Sequence, residues 1–177
     1  MNADVSARLA WPSDASAIAQ IQIAAWRQDY ADILPSEVLL GLKATQFTDS
    51  WEASLTKPQD ARMRVLVALE RATVRGFALV HPSQDPDTDA VVDSEVGEFV
   101  IDPLHRRAGH GSRLLQASVD TLVADKFTRG LWWVGADDDI LRAFVTGTGW
   151  QPDGAHRELE SETGTTLKQV RLHTSLE

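Results

Sequence analysis

The run EVGEFVIDPLHRRAGHGSRLLQ, residues 95–116, sets the tightest limit on what this chain can become. It starts as a strand and ends at Pro103, which cannot continue a ladder. Gly109 and Gly111 follow, and then Leu115, Val119 and Leu122 recur at helical spacing, with Leu114 and Val123 widening the face. Strand, glycine turn and helix in immediate succession is the arrangement that binds an anion, with a plain tight turn carrying surface arginines as the alternative. The first helical N–H groups have no internal partner, the helix dipole adds partial positive charge, and glycine lets a phosphate approach the backbone. Arg106, Arg107 and Arg113 add formal charge. Two common phosphate loops do not fit. A Walker A loop needs Gly-Lys-Ser/Thr, which GHGSRL lacks. A dinucleotide fingerprint needs a third glycine where Leu114 stands, and a place after the first strand rather than a late one.

The rest of the chain supplies a sheet for that unit. Residues 6–11 read as a first strand. A helix follows, with Ser13 as N-cap, Asp14 in the first turn and Ile18, Ile21 and Ala25 on one face. Pro35 opens a second helix running through Val38, Leu39 and Leu42 towards Trp51 and Leu55, and Pro58 closes that region. Residues 63–70 and 72–82 read as an antiparallel hairpin, 83–90 as an acidic loop and 91–103 as a long strand. GLWWVGA, 130–136, is a buried type of strand. Residues 137–150 form a short helix stopped by Gly147 or Gly149, and RELE with TLKQVRLHTS closes the chain as a hairpin turning at SETG. The expected order is β-αα-βββ-α-β-α-ββ. It implies an α/β (α+β) fold: a mixed, largely antiparallel central sheet of about seven strands with helices on both faces. Residues 1–177 are read as one domain.

Charge and composition narrow the partners. A formal net charge of -9 repels nucleic acid on average, so no nucleic-acid partner is expected, and any anionic ligand must be held locally. With no cysteine there is no disulfide frame, zinc-thiolate site or cysteine nucleophile. The opening residues lack a basic start and an apolar core, so no signal peptide is expected. No apolar run reaches the roughly 18 residues of a membrane span, and the reading is a cytoplasmic protein without a membrane partner.

The pattern Arg106-x-x-Gly109-x-Gly111, preceded by VIDP and followed by SRLL, resembles the coenzyme-A loop of the GNAT superfamily of N-acyltransferases, Arg/Gln-x-x-Gly-x-Gly/Ala. IAAWRQDYADILP is similar to the first-helix segment of small, single-domain bacterial members. FVTGTGWQPDG is similar to their FYxxxGWxPDG ending. The resemblance runs in order over nearly the whole chain. It implies the GNAT fold and an N-acetyltransferase that uses acetyl-CoA as cosubstrate, with direct attack by a primary amine of a small molecule or protein. It implies that the backbone of Arg106, Arg107, Ala108, Gly109, His110, Gly111 and Ser112 holds the pyrophosphate. Phe99, Val100 and Ile101 would meet the pantetheine arm and the thioester carbonyl. Glu95 matches a position where many relatives carry a catalytic base, and Glu98 is the alternative. Strict alternation puts Glu95, Gly97, Phe99 and Ile101 on one side and Glu98 on the other, unless a bulge reverses them.

The resemblance also makes Trp26 and Tyr30, with Phe47 and Trp51, candidates for the acceptor pocket; the alternative is that these aromatics are core. Three positions depart from the family pattern. Val145 stands where relatives carry a tyrosine that protonates the leaving thiolate, and valine has no proton to give. Tyr30, the single tyrosine, is a candidate substitute. His110 replaces an aliphatic residue between the glycines, with a packing role or a phosphate contact as the alternatives. Asp138 replaces a common asparagine. Val145 keeps open a second possibility, a coenzyme-A-binding module with weak or no catalysis that works by sensing or interaction. The histidines have no metal-ligand spacing, so no metal is expected. Relatives are often dimers, which makes a homodimer an open expectation.

Overall fold

The computed structural model describes residues 4–177. The leader expectation rests partly on residues 1–3, which lie outside the described ones. Seven strands form one sheet: β1 (Val5–Leu9), β2 (Arg64–Glu70), β3 (Thr73–Pro82), β4 (Asp93–Ile101), β5 (Arg129–Gly135), β6 (Gln151–Glu160) and β7 (Thr166–Ser175). Their spatial order is β1-β2-β3-β4-β5-β7-β6. Every neighbouring pair is antiparallel except β4 and β5. The parallel pair is joined through α4 (His110–Ala124), as a crossover requires.

The sheet is covered on both faces, which explains why β2 is buried through five consecutive residues. On one face, α1 (Ala15–Asp29) and α3 (Ala44–Thr56) bury Ile18, Ile21 and Trp51 against Val67 and Phe77. On the other, α4 buries Leu114, Leu115 and Leu122 against Val96, Trp132 and Leu172. The short α5 (Asp139–Gly147) adds Val145 to that second core.

The second helical region differs from the expected single helix. It is two helices, α2 (Ser36–Leu40) and α3, separated at 41–43. Gly41 ends the first by returning its N–H to the Glu37 carbonyl, and glycine is a poor helix former. Ser13 is not the N-cap of α1. A short 3-10 turn, Pro12–Asp14, precedes the helix, and the Asp14 carboxylate accepts the Trp11 N–H at 2.7 Å while pairing with Arg8. The last hairpin extends back to Gln151, with an irregular register between Pro152 and His156. The strand expected over 91–103 is shorter at both ends.

Two irregularities shape the middle of the sheet. Leu79 pairs with Glu98, but Val80 pairs with Val96, so Gly97 is an extra residue in β4. A side chain at 97 would come within 2.6 Å of His81 Nε2, which accounts for glycine there. The β4–β5 pairing also stops early, at Val96↔Trp132. On the α4 side of the unpaired stretch, Phe99 packs on Trp132 at 4.9 Å and on Phe144 at 6.1 Å between ring centroids. These rings fill the gap from below and keep the strands apart.

A buried arginine fastens the acidic loop to the sheet. Arg171 on β7 is 5% exposed and donates to Asp85, Asp87 and Asp153 at 2.6–2.9 Å. Asp85 also accepts the Trp133 indole N–H. Arg171→Met should strand two enclosed carboxylates and cost about 3–5 kcal/mol in urea unfolding at neutral pH. A loss under about 1 kcal/mol would mean the loop is held by other contacts.

Candidate functional site

The glycine loop leaves β4 through a turn in which Asp102 accepts the Leu104 N–H. Arg107 and Gly109 take positive φ, 62° and 88°. No side chain caps α4 at Gly109, whereas Asp138 caps α5 by accepting the Leu141 N–H at 3.0 Å. The first-turn donors of α4 therefore remain available to an anion. A Cβ at Gly109 would meet nothing within 4 Å, so the approach to them is open. Gly111 faces Phe144, 3.5 Å from a built Cβ.

The charged side chains of this loop divide. Arg107 and Arg113 are exposed. Arg106 pairs with Asp29 at 3.1 Å and ties the end of α1 to the loop. The His110 side chain does not reach the anion site. It is 1% exposed, packed inward, and neither ring nitrogen has a hydrogen-bond partner. Burial holds its pKa below the usual histidine value, so the ring is neutral, and only its backbone N–H faces the loop.

The bulge at Gly97 corrects the alternation. Glu98 pairs beside Leu79 and Glu95 beside His81, both on the α1/α3 face, while Phe99 and Ile101 turn to the α4 side. The two carboxylates differ in setting. Glu95 lies within the paired half, beside Leu131 of β5. Burial raises its pKa, with His81 and Arg157 pulling the other way. Glu98 lies two residues beyond the last β4–β5 pair. It accepts from Gln22 Nε2 at 3.2 and 3.3 Å, and Gln22 Oε1 accepts the buried Trp51 N–H at 2.8 Å. Burial pushes Glu98 up to about 7.

A cleft of about 560 Å³ opens beside Glu98. Gln22, Phe47, Trp51, Met63 and Leu79 are among its walls. Of the aromatics expected at an acceptor, Phe47 and Trp51 line it and Trp26 stands behind Phe47, edge-on at 5.5 Å. Tyr30 lies outside the cleft at the end of α1, edge-on to Trp26 at 6.0 Å. Burial raises the Tyr30 pKa, and the charges of Asp29, Glu98 and Asp138 add to the rise. Its phenol therefore keeps its proton at neutral pH. Val145 is fully buried in the α4-side core. Among the described residues no cluster of three or more carboxylates or histidines could hold a metal. None of their helices is long and apolar enough to cross a membrane.

Gln22 was missed in the sequence. The available signal was its place on the buried face of α1, four residues after Ile18, where a polar side chain needs a partner.

Comparison with known proteins gives the family and the fold. The family model described as "Acetyltransferase (GNAT) family" matches residues 23–150. The uncharacterized N-acetyltransferase YuaI of Bacillus subtilis is 25% identical over 169 residues, covering 95% of this chain and 91% of that protein. The mycothiol acetyltransferase of Kineococcus radiotolerans is 29% identical over 134 residues; these cover 76% of this chain but only 37% of that protein. The structure of the acetyltransferase yncA from Salmonella typhimurium, with acetyl-CoA, superposes with a TM-score of 0.75 at 18% identity, covering 98% of this chain and 95% of that one.

The raised Glu98 pKa has a thermodynamic sign. The folded state keeps a proton that the unfolded carboxyl loses near 4.5, so stability falls as pH rises from there through about 7. Glu98→Gln removes this effect. Its melting temperature relative to the parent should be higher at about pH 8 than at about pH 5 in paired thermal scans. A pH-independent difference would contradict the raised pKa.

Proposed function

The chain belongs to the GNAT acetyltransferase family, and from that premise we propose that it transfers the acetyl group of acetyl-CoA to a primary amine, with residues 1–177 acting as one catalytic domain. Acetyl-CoA supplies an activated thioester. The chain offers what such a molecule needs. The uncapped first turn of α4, from Gly109 to Ser112, gives N–H donors for the pyrophosphate, and exposed Arg107 and Arg113 add charge. The backbone groups of Gly97 to Ile101 that face away from β3 have no strand partner beyond Val96↔Trp132. They serve the amides of the pantetheine arm and give the thioester carbonyl a donor where negative charge develops.

The single observation that carries the reading is Glu98, a carboxylate held near neutral pKa beside an open cleft and beyond the last β4–β5 pair. An ammonium is not nucleophilic, so its proton must go to a base, and a base poised near the working pH is the most effective. Glu98 takes that role in preference to Glu95, which sits in the paired half of the strand opposite His81. Gln22 orients Glu98, and Trp51 orients Gln22. The amine nitrogen then forms the new C–N bond, the C–S bond breaks, and the thiolate takes a proton. Val145 cannot give one. Tyr30, with a protonated phenol at the end of α1, is the donor we assign, and Asp29–Arg106 fixes that helix end to the coenzyme loop.

Glu98→Gln should lower kcat by about 10²–10⁴ and remove the alkaline rise in kcat/KM centred near 7, measured with one amine throughout. Coenzyme affinity should hardly change. If Glu95→Gln shows the loss and Glu98→Gln does not, the base is Glu95. Gly109→Asp should abolish acetyl-CoA binding in calorimetry by placing bulk and negative charge at the pyrophosphate. Undiminished binding would place the coenzyme elsewhere.

A further inference from the structure

The cleft beside Glu98 has walls that limit its occupant. Resting on the acetyltransferase reading, we infer that the acceptor is a small primary amine on an apolar aryl- or alkyl-type body, with no carboxylate on the carbon that bears the amine.

The volume, about 560 Å³, is that of a small-molecule site. Its inner end is Glu98, whose carboxylate attracts an ammonium and accepts its proton. Phe47, Trp51, Met63, Val65 and Leu79 supply apolar wall. The polar groups on and just after α3 are neutral: Gln46, Ser50, Ser54 and Gln59. Among the described lining residues the only cation is Arg64, and Asp125 holds its guanidinium through two bonds at 2.9 and 3.0 Å.

A free α-amino acid fits this arrangement badly. With its amine at Glu98, its carboxylate would lie beside a second carboxylate, and the one cation among the described lining residues is already held by Asp125. A peptide fits badly for another reason. Next to Glu98 stand Leu79, Val65 and Trp51, and Gln22 is already bonded to Glu98 and Trp51, so a first amide there would find few partners, and unsatisfied polar groups are costly to bury. An amine with an aromatic or aliphatic body satisfies both ends: charge at Glu98, apolar area against the walls.

Pairs of compounds that differ only in the carboxylate test this. With the full chain and saturating acetyl-CoA, free-thiol release is followed for 2-phenylethylamine against phenylalanine, and for pentylamine against norleucine. Phenylalanyl-glycinamide represents a peptide amine. The decarboxylated member of each pair should have the higher kcat/KM by at least about tenfold. Ser50→Trp, at an exposed α3 position on the cleft, should raise KM for 2-phenylethylamine about tenfold and leave KM for acetyl-CoA unchanged. Equal or better use of the amino acids or the peptide overturns the inference and leaves the transferase reading standing, as does an unchanged amine KM in a folded Ser50→Trp. If that variant does not fold, the compound pairs decide alone. If no amine accelerates thiol release although acetyl-CoA binds, the transferase reading falls and this inference with it.

Discussion

The site exists because β4 and β5 stop pairing. Parallel neighbours normally continue their ladder, and a strand left unpaired in the middle of a sheet is an uncompensated row of polar groups. Here the ladder ends at Val96↔Trp132, while β4 continues to Ile101 and β5 to Gly135. Phe99, Trp132 and Phe144 occupy the space below the gap, so closing it would crush a packed aromatic cluster. The exposed backbone edge, the uncapped N-terminus of α4 and the open approach over Gly109 lie at the same end of β4. A long molecule with an anionic group at one end and amides along its arm matches that edge. In the proposed reading, fold and coenzyme site are one feature, a defect in pairing put to use.

The bulge at Gly97 gives that edge the carboxylate proposed as the base. Without the extra residue, strict alternation would separate Glu95 and Glu98 onto opposite faces. With it, both face α1 and α3, and Glu98 meets Gln22 and Trp51. Burial there raises the carboxyl into the range where it can both accept and release a proton near neutrality. The cost is a protein that loses stability as this group ionises, a trade expected where a buried carboxylate serves chemistry rather than structure. Arg171 illustrates the opposite use of buried charge. Its three carboxylate partners hold the acidic loop beside Trp133.

Much of this was legible in the residues. Gly109 and Gly111 after a strand mark the turn into α4 as the candidate anion site, and the apolar periods place α1 and α4. The fold class and the family follow from the order of elements and from three separated motifs. What the residues hide is three-dimensional. A two-residue period cannot reveal that Gly97 is a bulge, because the extra residue shows only in the register against β3, which passes from Leu79↔Glu98 to Val80↔Val96. His110 beside two glycines leaves packing and a phosphate contact both open, and the structure takes packing: the helix starts at that residue and turns its ring into the core. Gln22 gains its role only through partners 76 and 29 residues away. The break between α2 and α3 at Gly41 was visible as a glycine but outweighed by the apolar spacing around it.

The central claim is that the gap and the carboxylate act together in acetyl transfer, although the family's tyrosine is replaced by buried Val145. The direct measurement is free-thiol release from acetyl-CoA by the purified chain as an amine is titrated at fixed coenzyme. The account predicts release that is negligible without amine, saturates with it, and yields the acetylated amine in equal amount. Tight acetyl-CoA binding with no amine-dependent release would contradict it and leave a coenzyme-binding protein without the transfer step.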